Sequence, residues 1–260
     1  MGRVDGKSLQ PGDEAVYGML TCLAPQWQVP SHVTVLCTTR KGGVSQAPFD
    51  SLNLGLHVGD DAQAVQENRR RLRDSFVLPG TPFWLNQTHS TNVVTAGESV
   101  DADGSWTQEQ DHVLAVLTAD CLPVVISNLA GTQIAVVHAG WRGLANGILE
   151  NALTAFNASD PLHAWLGPAI GSEAFEVGEE VRAAFTERNA LHASAFKPRK
   201  TEGKFLADLY ALARNELQQA RTVCVTGGEY CTFQQSSLFH SHRRDGLLSG
   251  RMATVAWIGA

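Results

Sequence analysis

Three side chains in this 260-residue chain have types suited to chemistry and positions suited to exposing it. Cys121 stands in TADCLP, directly after the apolar run HVLAVL. His138 opens HAGWRG, directly after IAVV, and His89 follows PFWLN in NQTHS. One thiolate and two imidazoles are preferred donors for zinc, and three protein donors leave a fourth position open, as a catalytic site requires. The same atoms admit a second chemistry, with Cys121 as nucleophilic thiolate and His138 as its base. Asp120 is a poor third member of that pair, because neighbours on a strand point to opposite faces. A third reading is structural: a small buried thiol and a core histidine. The donors are 32 and 17 residues apart, which has none of the force of a paired CxxC motif, so spacing leaves all three readings open.

Cationic residues recur near the same strand ends: Arg40 in TTRKGG, Arg142 in GWRG, Lys204 in EGKF, and Arg243 and Arg244 in SHRRD. Arginine grips phosphate or carboxylate in a two-toothed fork, and flanking glycines let a backbone approach the ligand closely. The alternative for each is ordinary solvated charge. ENRRRLRD, the densest basic run, reads as a solvated helical face with one arginine turned inward. Trp84, Trp141, Phe175 and Phe239 suit either a stacking surface for a planar ring or the walls of a core. The Gln87 amide suits the edge of a purine.

The elements that must position these groups alternate between strands and helices. Strands are expected at 33–38, from Trp84 toward His89, and at 112–118, 124–127, 134–137, 164–166, 223–226 and 254–258. Their apolar runs are continuous, which places both faces in contact with other layers. Helices are expected at 60–76, 143–156, 178–188 and 205–221, the last the clearest amphipathic segment. Residues 1–30 read as a tail with an entry strand or helix. One mixed α/β domain over 1–260 is the expected organisation, with two halves split near residue 130 or 160 as the alternative.

Composition narrows the function. With 43% hydrophobic and 18% charged residues, the chain can bury roughly 70–75% of its unfolded surface. No apolar run approaches the roughly 18–20 residues of a membrane span. A formal charge of −6 argues against a nucleic-acid polymer as partner but not against a small anion. An odd count of five cysteines and the lack of a signal-peptide core in the first twenty residues point to reduced thiols in the cytoplasm. The four cysteines other than Cys121 are expected to be buried and inert.

TTRKGGVS, SLNLG, ENRRRL, WLNQTHS, TADCLPVVI, VHAGWRG, WLGPAIG, FEVGEEV, GKFLADLYALARNEL and SHRRD, in that order, resemble the YfiH or laccase-domain family. The family is also catalogued as multicopper polyphenol oxidase and, later, as purine nucleoside phosphorylase. The resemblance runs from about Val33 to Ile258. It implies a single-domain α+β sandwich of mixed β-sheets with flanking helices, related to cytotoxic-factor deamidases that use a Cys/His pair. It implies a metal, usually zinc, on His89, Cys121 and His138. It further implies phosphate-dependent cleavage of adenosine, inosine and methylthioadenosine, with deamination of adenosine. Copper-dependent oxidation of phenols and hydrolysis of peptidoglycan precursors are the family's alternative activities.

On that reading Asp120 orients a metal ligand or takes a proton. Arg40, Arg142, Lys204 and Arg244 are the candidate phosphate ligands, Arg142 and Arg244 foremost, and Asn53 and Gln87 meet ribose or base. Nine histidines contain no H-C-H motif and one H-x-H pair, His240 and His242, which suits one zinc better than a multicopper cluster. Copper stays an alternative occupant, because it outcompetes zinc for such donors. The expected assembly is a monomer or homodimer.

Overall fold

Val33–Thr38 (β3) and Met252–Ile258 (β15), apolar runs from near the two ends of the chain, pair antiparallel at the centre of one sheet. β2 (Leu20–Leu23) and β1 (Glu14–Tyr17) extend it on one side. β7 (Leu114–Thr118) and β4 (Phe83–Trp84) extend it on the other. This computed structural model describes residues 14–17, 20–221 and 223–260, so half of the expected tail, 1–13 with 18 and 19, lies outside the described residues.

A second six-stranded sheet is built around β8 (Leu122–Asn128) and β9 (Ile134–Ala139). Beside β8 lie β10 (Leu162–Leu166) and β14 (Val223–Gly227); beside β9 lie β6 (Gly104–Thr107) and β5 (Val93–Thr95). β11 (Glu176–Gly178), β13 (Lys204–Ala207) and β12 (Phe196–Pro198) form a small antiparallel sheet.

Side chains alternate across each strand, and this sorts the core into layers. Leu114 and Val116 of β7 meet Val125, Ile134 and Val136 between the two large sheets. Ala115 and Leu117 point the other way, into a cluster that includes Leu72 of α1 (Ala62–Ser75). Leu122, Val124 and Val137 face outward onto α2 (Trp141–Ala145), α3 (Ile148–Leu153) and α5 (Leu209–Ala220). α4 (Glu179–Thr186) and α6 (His242–Asp245) complete the helices among the described residues. The result is helix, sheet, sheet, helices: the expected mixed-sheet sandwich with flanking helices. β7, β8 and β9 are buried at every residue, as their unbroken apolar runs require. No helix among the described residues is long and apolar enough to cross a membrane.

Three expected elements differ in extent. The helix expected over 143–156 is two helices, because Gly147 turns left-handed (φ 92°) between them. Leu144, Ile148 and Ala152 still share the apolar cluster, so the periodicity survives the break. The helix expected from Phe205 begins at Leu209; Phe205 and Leu206 belong to β13, and the Asp208 carboxylate caps the helix from Ala211 N at 2.9 Å. The strand expected from Trp84 to His89 ends at Trp84. Beyond it, the Gln87 amide takes over the strand's hydrogen bonds to Leu117, accepting from its N at 2.7 Å and donating to its O at 2.8 Å.

The basic run behaves as read. Arg70 pairs with Glu67 and Asp74 on the outside, while Arg69 turns inward onto Leu54 O and over the Trp84 ring. All five cysteines are free thiols. Cys22 and Cys37 are buried, which pushes both thiols up, but Cys224 is exposed and Cys231 half-buried, contrary to the uniform burial expected.

His240 is fully enclosed against Gly250, where a Cβ would meet the ring at 2.6 Å. Burial, together with the charges of Arg40 and Arg251, pulls its pKa down to about 3. Above its ordinary value of 6.5 the ring is neutral whether folded or unfolded. Below that value only the unfolded chain takes up the proton, so stability falls with pH by up to about 1.4 kcal/mol per unit until roughly pH 3. Urea midpoints measured at pH 7 and pH 5 should therefore drop further in the wild type than in His240→Gln. Equal drops would clear His240 of a part in acid sensitivity.

Candidate metal centre

The three donors come from three different places in the sandwich. β9 delivers His138 one residue before its end, paired with Pro123 of β8. Cys121 closes the short crossover from β7 in one sheet to β8 in the other. It is β8, rather than the HVLAVL strand, that neighbours β9. His89 lies in the irregular segment after β4, at φ 62°. Their donor atoms all lie within 4.8 Å of one another, with Cys121 Sγ 3.7 Å from His89 Nε2. Zinc bonds of about 2.0–2.1 Å to nitrogen and 2.3 Å to sulfur put tetrahedral donors about 3.3–3.6 Å apart, close to that spacing. Among the described residues this is the one group of three or more such donors.

Gly140 completes the cradle. Its backbone lies so close that a Cβ there would stand 2.7 Å from His89 Cδ2 and 3.1 Å from Cys121 Sγ.

One carboxylate holds both histidines. Asp103, fully buried at the edge of β6, accepts from the backbone N–H groups of Thr88, His89 and Ser90 at 3.1, 3.0 and 2.6 Å. It also accepts from Ser90 Oγ at 2.7 Å and faces His138 Nδ1 at 2.8 Å. A non-glycine residue at positive φ costs of order 1–3 kcal/mol, and these bonds fix His89 in that conformation. A carboxylate only accepts, so His138 Nδ1 carries the proton and Nε2 is left as the donor. Burial works against the Asp103 charge, but hydrogen bonds from His138 and Ser90 hold it well below the usual carboxylate range.

Burial also works against a Cys121 thiolate. The charge and hydrogen bond of His138, aided by His89, outweigh it and bring the thiol down to about 6. For His138, burial is outweighed by Cys121 and Asp103, and its pKa rises to about 9. Without a metal the pair at neutral pH is thus thiolate and imidazolium: sulfur is in its ligating form, and a metal would displace the proton on His138 Nε2.

The centre opens into a cavity of about 610 Å³, walled in part by Trp141, Phe175 and Ile170. Arg142 lines it, stacked over Trp141 at 4.5 Å. The other expected substrate residues lie elsewhere or are engaged. Arg40 lines a separate depression, bound to Asp50 and to Ser236 O. Lys204 is exposed on β13, away from the cavity. Arg244 lends its guanidinium to Asp245 and to the carbonyls of Thr232, Phe233 and Phe239. Asn53 is fully buried, tied to Gly55, Asp60 and Arg251 N. Gln87 borders the cavity with both ends of its amide on Leu117.

Asp120, expected to orient a ligand or take a proton, lines the cavity but makes no hydrogen bond to the three donors. Its carboxylate turns from the donors to Thr232 Oγ1, Ser241 Oγ and Arg243 N, at 2.6, 3.0 and 2.6 Å. Of the four aromatics, Trp141 and Phe175 line the cavity. Phe239 is core, and Trp84 is covered by Arg69. Sequence reasoning passed over Asp103, Gly140, His57, His242 and Arg251. An acid in an ordinary DADG turn and a glycine in HAGWRG give no local sign of what they touch.

Fold and site together define a two-sheet α/β sandwich with, among the described residues, a His–Cys–His group of metal-ligating type where the sheets meet. Comparison with known proteins gives the family. The one described as multi-copper polyphenol oxidoreductase laccase matches residues 34–259. Purine nucleoside phosphorylase PA4543 of Pseudomonas aeruginosa is 48% identical over 239 residues, covering 91% of this chain and 98% of that protein. Purine nucleoside phosphorylase YfiH of Escherichia coli is 46% identical, covering 92% and 100%. The crystal structure of Neisseria meningitidis protein NMB0706 superposes with a TM-score of 0.87 at 46% identity, over 92% of this chain and 99% of that one. The chain belongs to the YfiH, or laccase-domain, family.

Proposed function

We infer that this chain is a zinc-dependent purine nucleoside phosphorylase that cleaves adenosine, inosine and methylthioadenosine with phosphate and also deaminates adenosine, in the cytoplasm. The observation that carries the reading is the His89–Cys121–His138 group opening into a cavity of nucleoside size, in a chain whose relatives bear that activity as a name. A bound zinc would supply Lewis acidity to a purine or an attacking oxygen. The chain itself supplies the rest. Trp141 and Phe175 offer flat apolar faces to a base, Asp103 keeps His138 Nε2 turned to the centre, and the cavity's guanidinium groups suit phosphate.

The thiolate–imidazole pair backed by Asp103 also favours a second reading, a metal-free Cys/His hydrolase acting on peptidoglycan precursors. A copper oxidase finds less support, because a multicopper cluster needs several more histidines gathered together than the described residues place near one another.

The test is base release from inosine and from adenosine, with and without phosphate, by zinc-loaded and chelated protein. Activity that needs both zinc and phosphate is expected; none in any combination would refute the reading. His89→Ala, Cys121→Ala and His138→Ala should each lose the metal, about one zinc per chain in elemental analysis of the wild type. A variant that keeps full stoichiometry removes its residue from the ligand set.

A further inference from the structure

Arginines on most of this molecule are held by acids: Arg70, Arg71, Arg182, Arg188 and Arg199 each pair with a carboxylate. Arg69, Arg214 and Arg221 have no acid, but carbonyl oxygens such as Leu54 O, Gly227 O and Asn157 O occupy their guanidinium groups. The cavity is different. Arg142, Arg243 and Arg251 all line it, and none has a carboxylate partner among the described residues. Arg142 only stacks on Trp141. Arg243 stacks over Phe175 at 5.2 Å and gives Nη1 to Glu176 O, leaving Nε and Nη2 unused. Arg251 gives Nη1 to Ser249 O and Gly250 O, again leaving Nε and Nη2. Arg142 and Arg243 are exposed and Arg251 is half-buried; what the three share is N–H groups left over at one cavity, from which an oxyanion would accept charge-assisted hydrogen bonds.

The cavity's acid does not supply the missing charge by contact. Asp120 is the one carboxylate in the lining, and its oxygens are bound to Thr232 Oγ1, Ser241 Oγ and Arg243 N. It stands at φ 84°, a strained conformation for a residue with a side chain, and Ile170 N anchors its carbonyl at 2.9 Å. The chain therefore bends sharply beside Cys121 and, through Asp120, fixes the turn that carries Arg243.

We propose that Arg243 and Arg251, with Arg142, form the oxyanion subsite of this cavity, a place for a phosphate-class dianion, and that Asp120 is the residue that positions Arg243. The assignment rests on the phosphorylase reading for its ligand but not for its geometry. It replaces Arg40, Lys204 and Arg244 as phosphate ligands and keeps Arg142.

The experiment uses zinc-loaded protein and inorganic phosphate, with initial rates of base release from inosine across phosphate concentrations. Arg243→Ala should raise the phosphate KM about tenfold to a hundredfold, as loss of a charge-assisted hydrogen bond does, with the inosine KM little changed. Arg243→Lys should recover part of that loss, keeping charge without the fork. Asp120→Asn should raise the phosphate KM at unchanged kcat and unchanged zinc content, a split that general loosening of the fold would not give. Lys204→Ala should behave as wild type. An unaltered phosphate KM in Arg243→Ala overturns the subsite. An unaltered KM in Asp120→Asn with zinc retained overturns its positioning role. If the wild type releases no base with phosphate, the phosphorylase reading fails, and calorimetric titration of phosphate decides the subsite alone. Binding that disappears in Arg243→Ala then supports it, and no binding to the wild type overturns it.

Discussion

Gly140→Ala should leave a folded protein that no longer holds its metal. The backbone at Gly140 has φ −59° and ψ 153°, a conformation any residue adopts, so the substitution brings no dihedral strain. What it brings is volume. The new methyl would stand 2.7 Å from His89 Cδ2, 3.1 Å from Cys121 Sγ and 3.2 Å from His89 Nε2. His89 is exposed and can swing aside, which preserves the fold by taking one donor out of the set. Metal sites tolerate errors of only about 0.2 Å in donor distance, so zinc affinity should fall at least about a hundredfold. The melting temperature of the chelated protein should stay within a few degrees of wild type. Competition against a chromophoric chelator measures the first and a thermal scan the second. Wild-type affinity in the variant would show that the metal does not sit between these three residues.

Replacing Asp103 should have the opposite profile, with stability and metal lost together. Asp103→Ala strands three backbone N–H groups and the His138 Nδ1–H in a buried site. Removing one partner of a buried ionic group costs about 3–5 kcal/mol, a large share of an ordinary domain's stability. Asp103→Asn keeps the shape and one acceptor oxygen, so it should fold. Its amide cannot hold His138 and the His89 segment together, and zinc affinity should drop about tenfold to a hundredfold, the usual effect of losing a group that orients a ligand. Unfolding in urea and zinc competition on the same samples separate the two losses. Unchanged zinc affinity in Asp103→Asn would reduce Asp103 to a brace for the loop.

Two of the donors, Cys121 and His138, follow unbroken apolar runs, LAVL and IAVV, that read as strands buried on both faces; His89 follows no such run. Strand ends are where side chains leave the core, which makes Cys121 and His138 candidates; the resemblance to the family is what makes them, with His89, a ligand set. What local pattern could not supply was the partner across the fold. Asp120 is adjacent to Cys121 in sequence and looked like its helper, yet a left-handed turn sends its carboxylate to residues more than a hundred positions away. Asp103 has no such neighbour in sequence, and it serves both histidines through β6 pairing with β9. Arg40, Lys204 and Arg244 stand apart from the cavity for a related reason. Arg243 and Arg244 are neighbours in one SHRRD run, yet Arg244 buttresses carbonyls while Arg243 lines the cavity. Only the surrounding acceptors tell the two apart.

The crossover from β7 to β8 has a meaning for assembly. Cys121 belongs to the passage between the sheets, His138 to the inside of the second sheet, and His89 to a loop fastened by Asp103 at that sheet's edge. The β8–β9 hairpin, one contiguous stretch, already sets Cys121 beside His138, but the third donor, His89, arrives from the segment after β4 of the other sheet, so neither sheet alone closes the cradle. Metal uptake therefore reports that the two halves of the sandwich have docked. Once bound, an ion on these residues acts as a rivet through the layers, and unfolding must either eject it or pull the sheets apart together.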